Sequence, residues 1–428
     1  MKISKLNIES YRHLQNLDFD FTYQTGERKG QPLDKICFIG QSATGKTGLL
    51  ELIYDYNNFA LNLEIVEGRS FSPSTNVKTL SGKITFLINN LEYSHSKSEI
   101  SYKDRVYKAL GLGGMVTPLI PNNDKSCVYY FKSNIISDKN IEIFTKNPID
   151  LIEKHQEKLD LVDSLLVDQQ DFNSYFDESV QPEMWLFLLQ DILHYRKRFT
   201  QKMSELIHNG LLGNPKKLDI EYKKWKEENP NELEDFAEKL NPLLEKLNLE
   251  VDLVNTEYSI PIKNKKTDEV IPIQNSSTGT KGILLSFFPL FKLDIKESII
   301  LIDEPERSLY PDMQMDLMEH YKKLVPDAQI IVATHSPFIA ASFEAEERFI
   351  LYFDEEGKVA VRRGESPIGD DPNDMLKNDF GVNYYNKYGE EAYKKYLDLK
   401  EEIANEVDPK KKKELLLEAV KLGDTYNF

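Results

Sequence analysis

The segment "GQSATGKT", residues 40–47, limits the possible fold more than any other stretch of this chain. It lies between an apolar run, Ile36-Cys37-Phe38-Ile39, and a helix-like run, Gly48-Leu49-Leu50-Glu51-Leu52-Ile53. The pattern is GxxxxGK(S/T), with Gly40, Gly45, Lys46 and Thr47 in the required places. Glycines let the backbone curl so that successive N–H groups, those of Gln41, Ser42, Ala43 and Thr44 among them, point at one centre. The following helix turns its positive end toward the same centre. Such a cradle suits a nucleotide: Lys46 would meet the β- and γ-phosphates of ATP, and the Thr47 hydroxyl would ligate Mg²⁺. The motif demands a strand before it and a helix after it, and the hydrophobic pattern supplies both. A plain strand-to-helix turn would use the same small residues, so distant parts of the chain must supply the rest of a site.

With 428 residues the chain has room for two or three domain-sized units. It is 40% hydrophobic and 29% charged, the texture of a soluble protein with a substantial core. The longest apolar run, Ile283 to Phe291, is broken by Ser286 and Pro289 and falls far short of the ~20 residues of a membrane span. The opening Met-Lys-Ile-Ser-Lys-Leu-Asn-Ile alternates like a strand and lacks the features of a signal peptide, so a cytoplasmic protein without a membrane partner is expected. Cys37 and Cys127 fall in expected core strands, where a free cysteine acts as a small hydrophobe. A net charge of −17 argues against nucleic-acid affinity spread over the whole surface. Only local patches could bind phosphates: Tyr195-Arg196-Lys197-Arg198, Lys263-Asn264-Lys265-Lys266 and Lys410 to Lys413. Their ordinary reading is a solvated helix face, a hairpin tip and a helix start.

Residues 1–140 read as a strand-rich lobe carrying the phosphate loop, with strands at Ile3–Ile8, Leu17–Phe21, Ile36–Ile39, Gly82–Leu91 and Ser126–Phe131. Residues 141–249 change to helical periodicity, clearest in "SYFDESVQPEMWLFLLQDILHYRKRFTQKMSELI" and in "NELEDFAEKLNPLLEKLNL", where Asn231 is placed as a cap. No long run of heptads occurs, so a compact helical insertion is expected. Strands return in 250–362, at Glu250–Val254, Ile271–Ile273, Ser298–Ile302 and Gln329–Ala333, with helices at Gly282–Phe291 and Pro311–Leu324 and a hairpin over 349–362. Residues 363–428 close the chain with two helices, roughly Glu390–Glu406 and Pro409–Leu422, and offer a docking surface.

The second half of a site is sought at the ends of buried strands. "SIILIDEPE" (298–306) is a β-branched apolar run ending in Asp303-Glu304. Such a strand sets two carboxylates at the carboxyl end of a parallel sheet, where open α/β sheets bind ligands. Asp303 would hold Mg²⁺ and Glu304 would orient or deprotonate the attacking water. A second apolar strand ends in Thr334-His335-Ser336-Pro337, and the imidazole of His335 could contact the γ-phosphate or the lytic water. Third comes "NSSTGTKG" (275–282), a hydroxyl- and glycine-rich helix start, which taken alone is only a good cap.

In this order, GQSATGKT, NSSTGTKG, SIILIDEPE and ATHSP resemble the ABC-type ATPase heads of the RecF, SMC and OLD group. The opening "MKISKLNIESYRHLQNLDFDF" is similar to the first hairpin of that group, with Arg12 at a position often basic and near the nucleotide. The resemblance covers about residues 1–60 and 250–362. It implies an α/β P-loop NTPase head, a mixed sheet with flanking helices, carrying an inserted helical subdomain and a C-terminal helical tail. It also implies that Lys46 and Thr47 are the Walker A pair, Asp303 and Glu304 the Walker B pair, His335 the switch histidine, and Ser277 with Gly279 the signature. In the family the signature binds the γ-phosphate of the opposite subunit, which implies a homodimer or higher homo-oligomer with ATP sandwiched between heads.

The signature reads Ser-Ser-Thr-Gly-Thr where Leu-Ser-Gly-Gly-Gln is commoner, and Tyr310 replaces the histidine of an OLD-like "PExxLHP" turn. The Q-loop glutamine has no counterpart; Lys132, Ser133 or Asn134 could occupy its place. The tail "NDMLKNDFGVNYY…YLDLKEEI…KLGDTYNF" resembles bacterial ATPases of anti-phage and restriction systems, Septu-like and retron-linked ones included, and no TOPRIM nuclease region follows the head. The expected function is therefore an ATPase that acts as regulatory or sensor subunit for a separate effector protein, a nuclease foremost. The alternative is a RecF/SMC-like DNA-repair ATPase that clamps DNA, which a charge of −17 makes harder. A small-molecule kinase or GTPase would leave the signature and THSP motifs unexplained, and a transporter ATPase would differ in its coupling region.

Overall fold

The computed structural model describes residues 1–66, 70–71, 82–96, 99–109, 116–119, 127–147, 150–151, 153–154, 175–255, 257–293, 297–368, 372–382 and 387–426. Ser126, Ser174 and residues 383–385, 427 and 428 of the tail motif lie outside them.

Strands buried on both faces read as continuous apolar runs, and five such runs build the central sheet. They are β3 (Lys35–Gly40), β4 (Val128–Phe131), β6 (Ile299–Asp303), β7 (Gln329–Ala333) and β8 (Arg348–Phe353). The order across the sheet is β5-β4-β6-β7-β3-β8-β9, where β5 is Tyr175–Phe176 and β9 is Val359–Arg363. All neighbours are parallel except β8 and β9, which form the expected antiparallel hairpin. Side chains alternate strictly between two cores. Ile36, Phe38, Leu301 and Ile331 point into one, Cys37, Ile39, Ile302 and Val332 into the other.

The first core is closed by α1 (Lys46–Asn62) and by a second, mostly antiparallel sheet, of nine strands among the described residues, to which β1 (Ile3–Tyr11) and β2 (Leu14–Asp20) belong. Gln329 stitches the two sheets together. Fully buried, it accepts from the Ile3 amide (2.8 Å) and donates to the carbonyls of Ile3 (2.9 Å) and Leu33 (2.8 Å). The second core is closed by the helices Pro182–His208, Glu232–Leu244, Thr278–Lys292 and Pro311–Leu324. Trp185, Leu189 and Phe236 of the helical block thus share one core with Phe288 and Leu317. Asn231 caps its helix as expected, accepting from the Leu233 amide at 3.1 Å.

Two expectations change. Tyr175 and Phe176 form the edge strand β5 beside β4 instead of starting a helix, which begins only at Pro182. The expected solvated face Tyr195-Arg196-Lys197-Arg198 is split: Lys197 and Arg198 are exposed, whereas Tyr195 and Arg196 are buried, because a helix turns its side chains through 100° per residue. The two C-terminal helices, Lys387–Asn405 and Pro409–Tyr426, are present. Among the described residues no helix is long and apolar enough to cross a membrane.

One packing detail of the antiparallel sheet sets a pH dependence. His95 is 5% exposed, stacks on Phe59 (5.2 Å, 9°) and meets the edge of Tyr56, and its Nδ1 has no partner. Burial pushes its pKa down from 6.5 to about 4. The folded state therefore binds the proton more weakly than the unfolded chain does. The neutral imidazole's share of stability is complete above about pH 6.5 and is lost as pH falls toward about 4. That share is about 3 kcal/mol from the size of the shift. Urea-unfolding midpoints taken across this range are expected to fall less for His95→Phe than for the wild type; parallel curves would refute the assignment.

Candidate nucleotide site

The carboxyl ends of β3, β6 and β7 come together because those strands are adjacent and in register, with Ala333 opposite both Phe38 and Asp303. At the end of β3, Gly40 has φ 144°, and a Cβ there would stand 2.0 Å from the Leu351 carbonyl oxygen of β8. This glycine is demanded by the neighbouring strand as well as by any phosphate. The loop then turns through Ala43 (φ 67°) and Gly45 (φ 94°) into α1, whose first amides receive no side-chain cap and stay free for an anion. Gln41, Ser42 and Ala43 are exposed on the loop, while Thr44 is buried and donates to the Gln41 carbonyl at 2.8 Å.

Lys46, 6% exposed, folds over its own loop and donates to the carbonyls of Gly40 (2.8 Å) and Gln41 (2.9 Å). Loss of hydration lowers its pKa to about 8 against the pull of Asp303 and Glu304. The Thr47 hydroxyl reaches both carboxylate oxygens of Asp303, at 3.1 and 3.2 Å. Burial raises the Asp303 pKa to about 6, with the Thr47 hydrogen bond opposing. Glu304 follows in a left-handed backbone conformation, φ 49°, fixed by its amide donating to the Ala333 carbonyl at 2.8 Å. His335 stands exposed past the end of β7. Loss of hydration, then the Lys46 ammonium, holds its pKa below the ordinary value.

Gly279 lies near the start of the helix Thr278–Lys292 and is buried, because the Ser308 carbonyl approaches so closely that a Cβ would sit 2.5 Å away. It lines a cleft of about 40 Å³ together with Lys132, Ser133, Asp303 and Glu304. Lys132 and Ser133, two of the expected Q-loop substitutes, thus share a cleft with the carboxylates, while the Lys132 ammonium itself is on Glu51 at 3.3 Å. Ser277 caps the same helix, accepting from the Thr280 amide at 3.1 Å, and is itself exposed.

Three further residues stand around the site, and the sequence marks them weakly or not at all. Glu306 accepts from the Thr334 hydroxyl (2.7 Å) and the His335 amide (2.9 Å), which locks the end of β7 to the turn after β6. Glu51 of α1 receives Arg12 (2.8 Å) on one oxygen and Lys132 (3.3 Å) on the other, so the basic residue of the first hairpin is held beside the loop helix. Opposing its burial, these two cations keep the Glu51 carboxyl below its ordinary pKa. His13, next in that hairpin, lies where a side chain at Gly45 would meet its imidazole at 2.8 Å. For Glu306, the repeated acid in "DEPE" is the one available cue.

A glycine-rich loop between a parallel strand and a helix, with a hydroxyl–carboxylate pair joining it to the next-but-one strand, defines a P-loop ATPase. The family described as "AAA ATPase domain" matches residues 1–340, and the chain belongs to it. Over 72 residues it is 38% identical to the Septu protein PtuA of Bacillus thuringiensis, a match spanning 17% of this chain and 18% of that relative's length. Similar solved structures include an Smc head bound to the C-winged helix domain of ScpA, at 12% identity and TM-score 0.41, covering 85% of this chain and 97% of that one. The SMC head domain from Thermotoga maritima is similar at 13% identity and TM-score 0.39, covering 86% and 100%.

Proposed function

We propose that this protein binds and hydrolyses ATP as the regulatory or sensor subunit of a bacterial anti-phage or restriction-associated system, controlling a separate effector protein such as a nuclease. The observation that carries the ATPase reading is the pairing of Thr47 with the buried Asp303 across 256 residues of sequence, directly beside Lys46. The defence context rests on the match to the Septu protein PtuA.

Thr47 and Asp303 offer oxygen donors alone, which suits a hard cation, and they would hold Mg²⁺ with phosphate and water completing the shell. Bound there, Mg²⁺ supplies neutralisation of phosphate charge. Lys46 exchanges its two loop carbonyls for phosphate oxygens, so its ammonium is already placed and desolvated before the nucleotide arrives. Glu304 takes the proton of the attacking water, with its backbone pinned to Ala333, and His335 stands close to the γ-phosphate. The exposed Ser277, two residues before the buried Gly279, is left for the phosphate of a second copy, which gives an ATP-sandwiched pair of heads. The exposed row Leu397, Leu416, Leu417 and Val420 on the C-terminal helices is the proposed seat of the effector.

Lys46→Ala is expected to lower ATP turnover about 10²–10³-fold, the loss typical of one preorganised electrostatic donor, and to weaken binding of a non-hydrolysable ATP analogue. Steady-state phosphate release and calorimetric titration measure the two effects. Wild-type values in both would sink the site assignment.

A further inference from the structure

His335 is an exposed residue between two buried ones, Thr334 and Ser336. Among the described residues its imidazole has no hydrogen-bond partner, so whatever aims the ring acts through the backbone on either side of it. Two side chains from other elements reach that backbone. Glu306, in the turn after β6, accepts on one oxygen, Oε1, from both the Thr334 hydroxyl (2.7 Å) and the His335 amide (2.9 Å). On the far side, the Ser336 hydroxyl donates to Oε1 of Gln314 at 2.5 Å, and Gln314 Nε2 donates to the Leu309 carbonyl at 2.7 Å. The Ser336 amide donates back to the Thr334 hydroxyl at 2.9 Å and joins the two halves. Glu306, Thr334, Ser336, Gln314 and Leu309 are thus linked by one unbroken run of hydrogen bonds. Both of its ends lie in the turn after β6, and its middle carries His335.

Folding alone does not call for a carboxylate at this point. The second Glu306 oxygen, Oε2, is buried without a hydrogen-bond partner, and a carboxylate left half satisfied in an enclosed place is costly. A neutral acceptor would cap the same two donors with no charge to desolvate. What the charge adds is grip, because hydrogen bonds to an ionised acceptor are shorter and about twice as strong. Giving up stability for rigidity makes sense where a small displacement matters. Beside a transferring phosphoryl group, misplacing a group by about 1 Å lowers the rate about 10²-fold.

Given ATP hydrolysis at this site, we propose that Glu306 and Gln314 are positioning residues for it, which act without touching the nucleotide by holding His335 at the γ-phosphate. Glu306 fixes the histidine from its amide side and Gln314 fixes it from the serine that follows.

The test measures kcat, KM and the affinity of a non-hydrolysable ATP analogue in the full-length protein, with the melting temperature of every variant. Glu306→Ala is expected to lower kcat about 10²-fold. Analogue affinity is expected to stay within about twofold, the pattern of an interaction made in the transition state. Glu306→Gln keeps an acceptor for both donors without the charge and is expected to lose only about 5–10-fold. In a His335→Ala background, itself slowed, Glu306→Ala and Gln314→Met are each expected to cost almost nothing further, since residues that act as a unit are not additive. Gln314→Met nearly conserves volume and leaves Glu306 in place, so it carries the same cycle where Glu306→Ala melts early. The proposal is overturned if neither variant lowers kcat, if the loss falls on analogue affinity instead, or if the losses multiply with that of His335→Ala. It is equally overturned if Glu306→Gln is as slow as Glu304→Gln, which would make Glu306 a base. Wild-type turnover that is absent, or indifferent to Lys46→Ala, would overturn ATP hydrolysis itself and is read separately.

Discussion

Replacing Asp379 with alanine is expected to destabilise the protein by about 3–5 kcal/mol, the cost of leaving a buried charge without its partner. Arg348 begins β8, is completely buried, and donates through Nε to Asp379 Oδ2 at 2.7 Å. Its Nη1 is held by the Phe343 carbonyl at 2.5 Å and its Nη2 by the Ser366 carbonyl. The other Asp379 oxygen accepts from the Glu365 amide at 2.9 Å. One ion pair thereby fastens the segment after β9 to the edge of the central sheet, beyond the 340 residues that the family covers. Urea unfolding of Asp379→Ala measures the loss. The double variant Arg348→Met, Asp379→Leu is expected to recover much of it, because removing both charges also removes their desolvation cost. Equal losses in the two variants would show that the backbone carbonyls, and not the carboxylate, satisfy the arginine.

Glu304→Gln is expected to cut ATP turnover about 10²–10⁴-fold, the usual contribution of a positioned general base, while leaving ATP binding intact. The amide is isosteric, and the unusual φ of 49° is held by the Ala333 carbonyl through the backbone, so geometry is preserved. Nucleotide should then accumulate unhydrolysed, and ATP-dependent pairing of heads should become visible by size-exclusion chromatography. Undiminished turnover would shift the base elsewhere, with Glu306 the next carboxylate at hand. Running the assay with and without double-stranded DNA separates two readings. Stimulation favours a head that clamps DNA; indifference favours a sensor whose output passes to another protein.

The parts of the site that a local pattern encodes were legible in the sequence. The phosphate loop, the strands ending at Asp303 and Ala333, and the cap at Ser277 each follow from spacing or from an unbroken apolar run. What depends on a distant neighbour was not. Tyr175–Phe176 is too short to show a period of two, and its pairing with β4 overrides the helical texture around it. The burial of Arg196, the partnership of Arg348 with Asp379 and the service of Glu51 to two cations are set by packing between segments far apart in the chain. Gly40 was expected for its conformational freedom, yet its sharpest constraint is the backbone of Leu351. The family relationship, which the motifs alone brought within reach, covers four-fifths of the chain and stops before the last two strands of the sheet.

The position of β3 has a consequence for biosynthesis. Both of its hydrogen-bonding edges are filled by strands encoded near the other end of the chain, Gln329–Ala333 and Arg348–Phe353. A ribosome making this protein must finish some three hundred further residues before either partner emerges. Until then the strand that presents the phosphate loop has nothing to pair with, and an apolar strand with two open edges is an invitation to aggregate. Nucleotide cannot rescue the nascent chain, since Asp303 also arrives late. The yield of this protein on recombinant expression is therefore expected to track translation speed and temperature more closely than its final stability would imply, which soluble yield at two induction temperatures would measure.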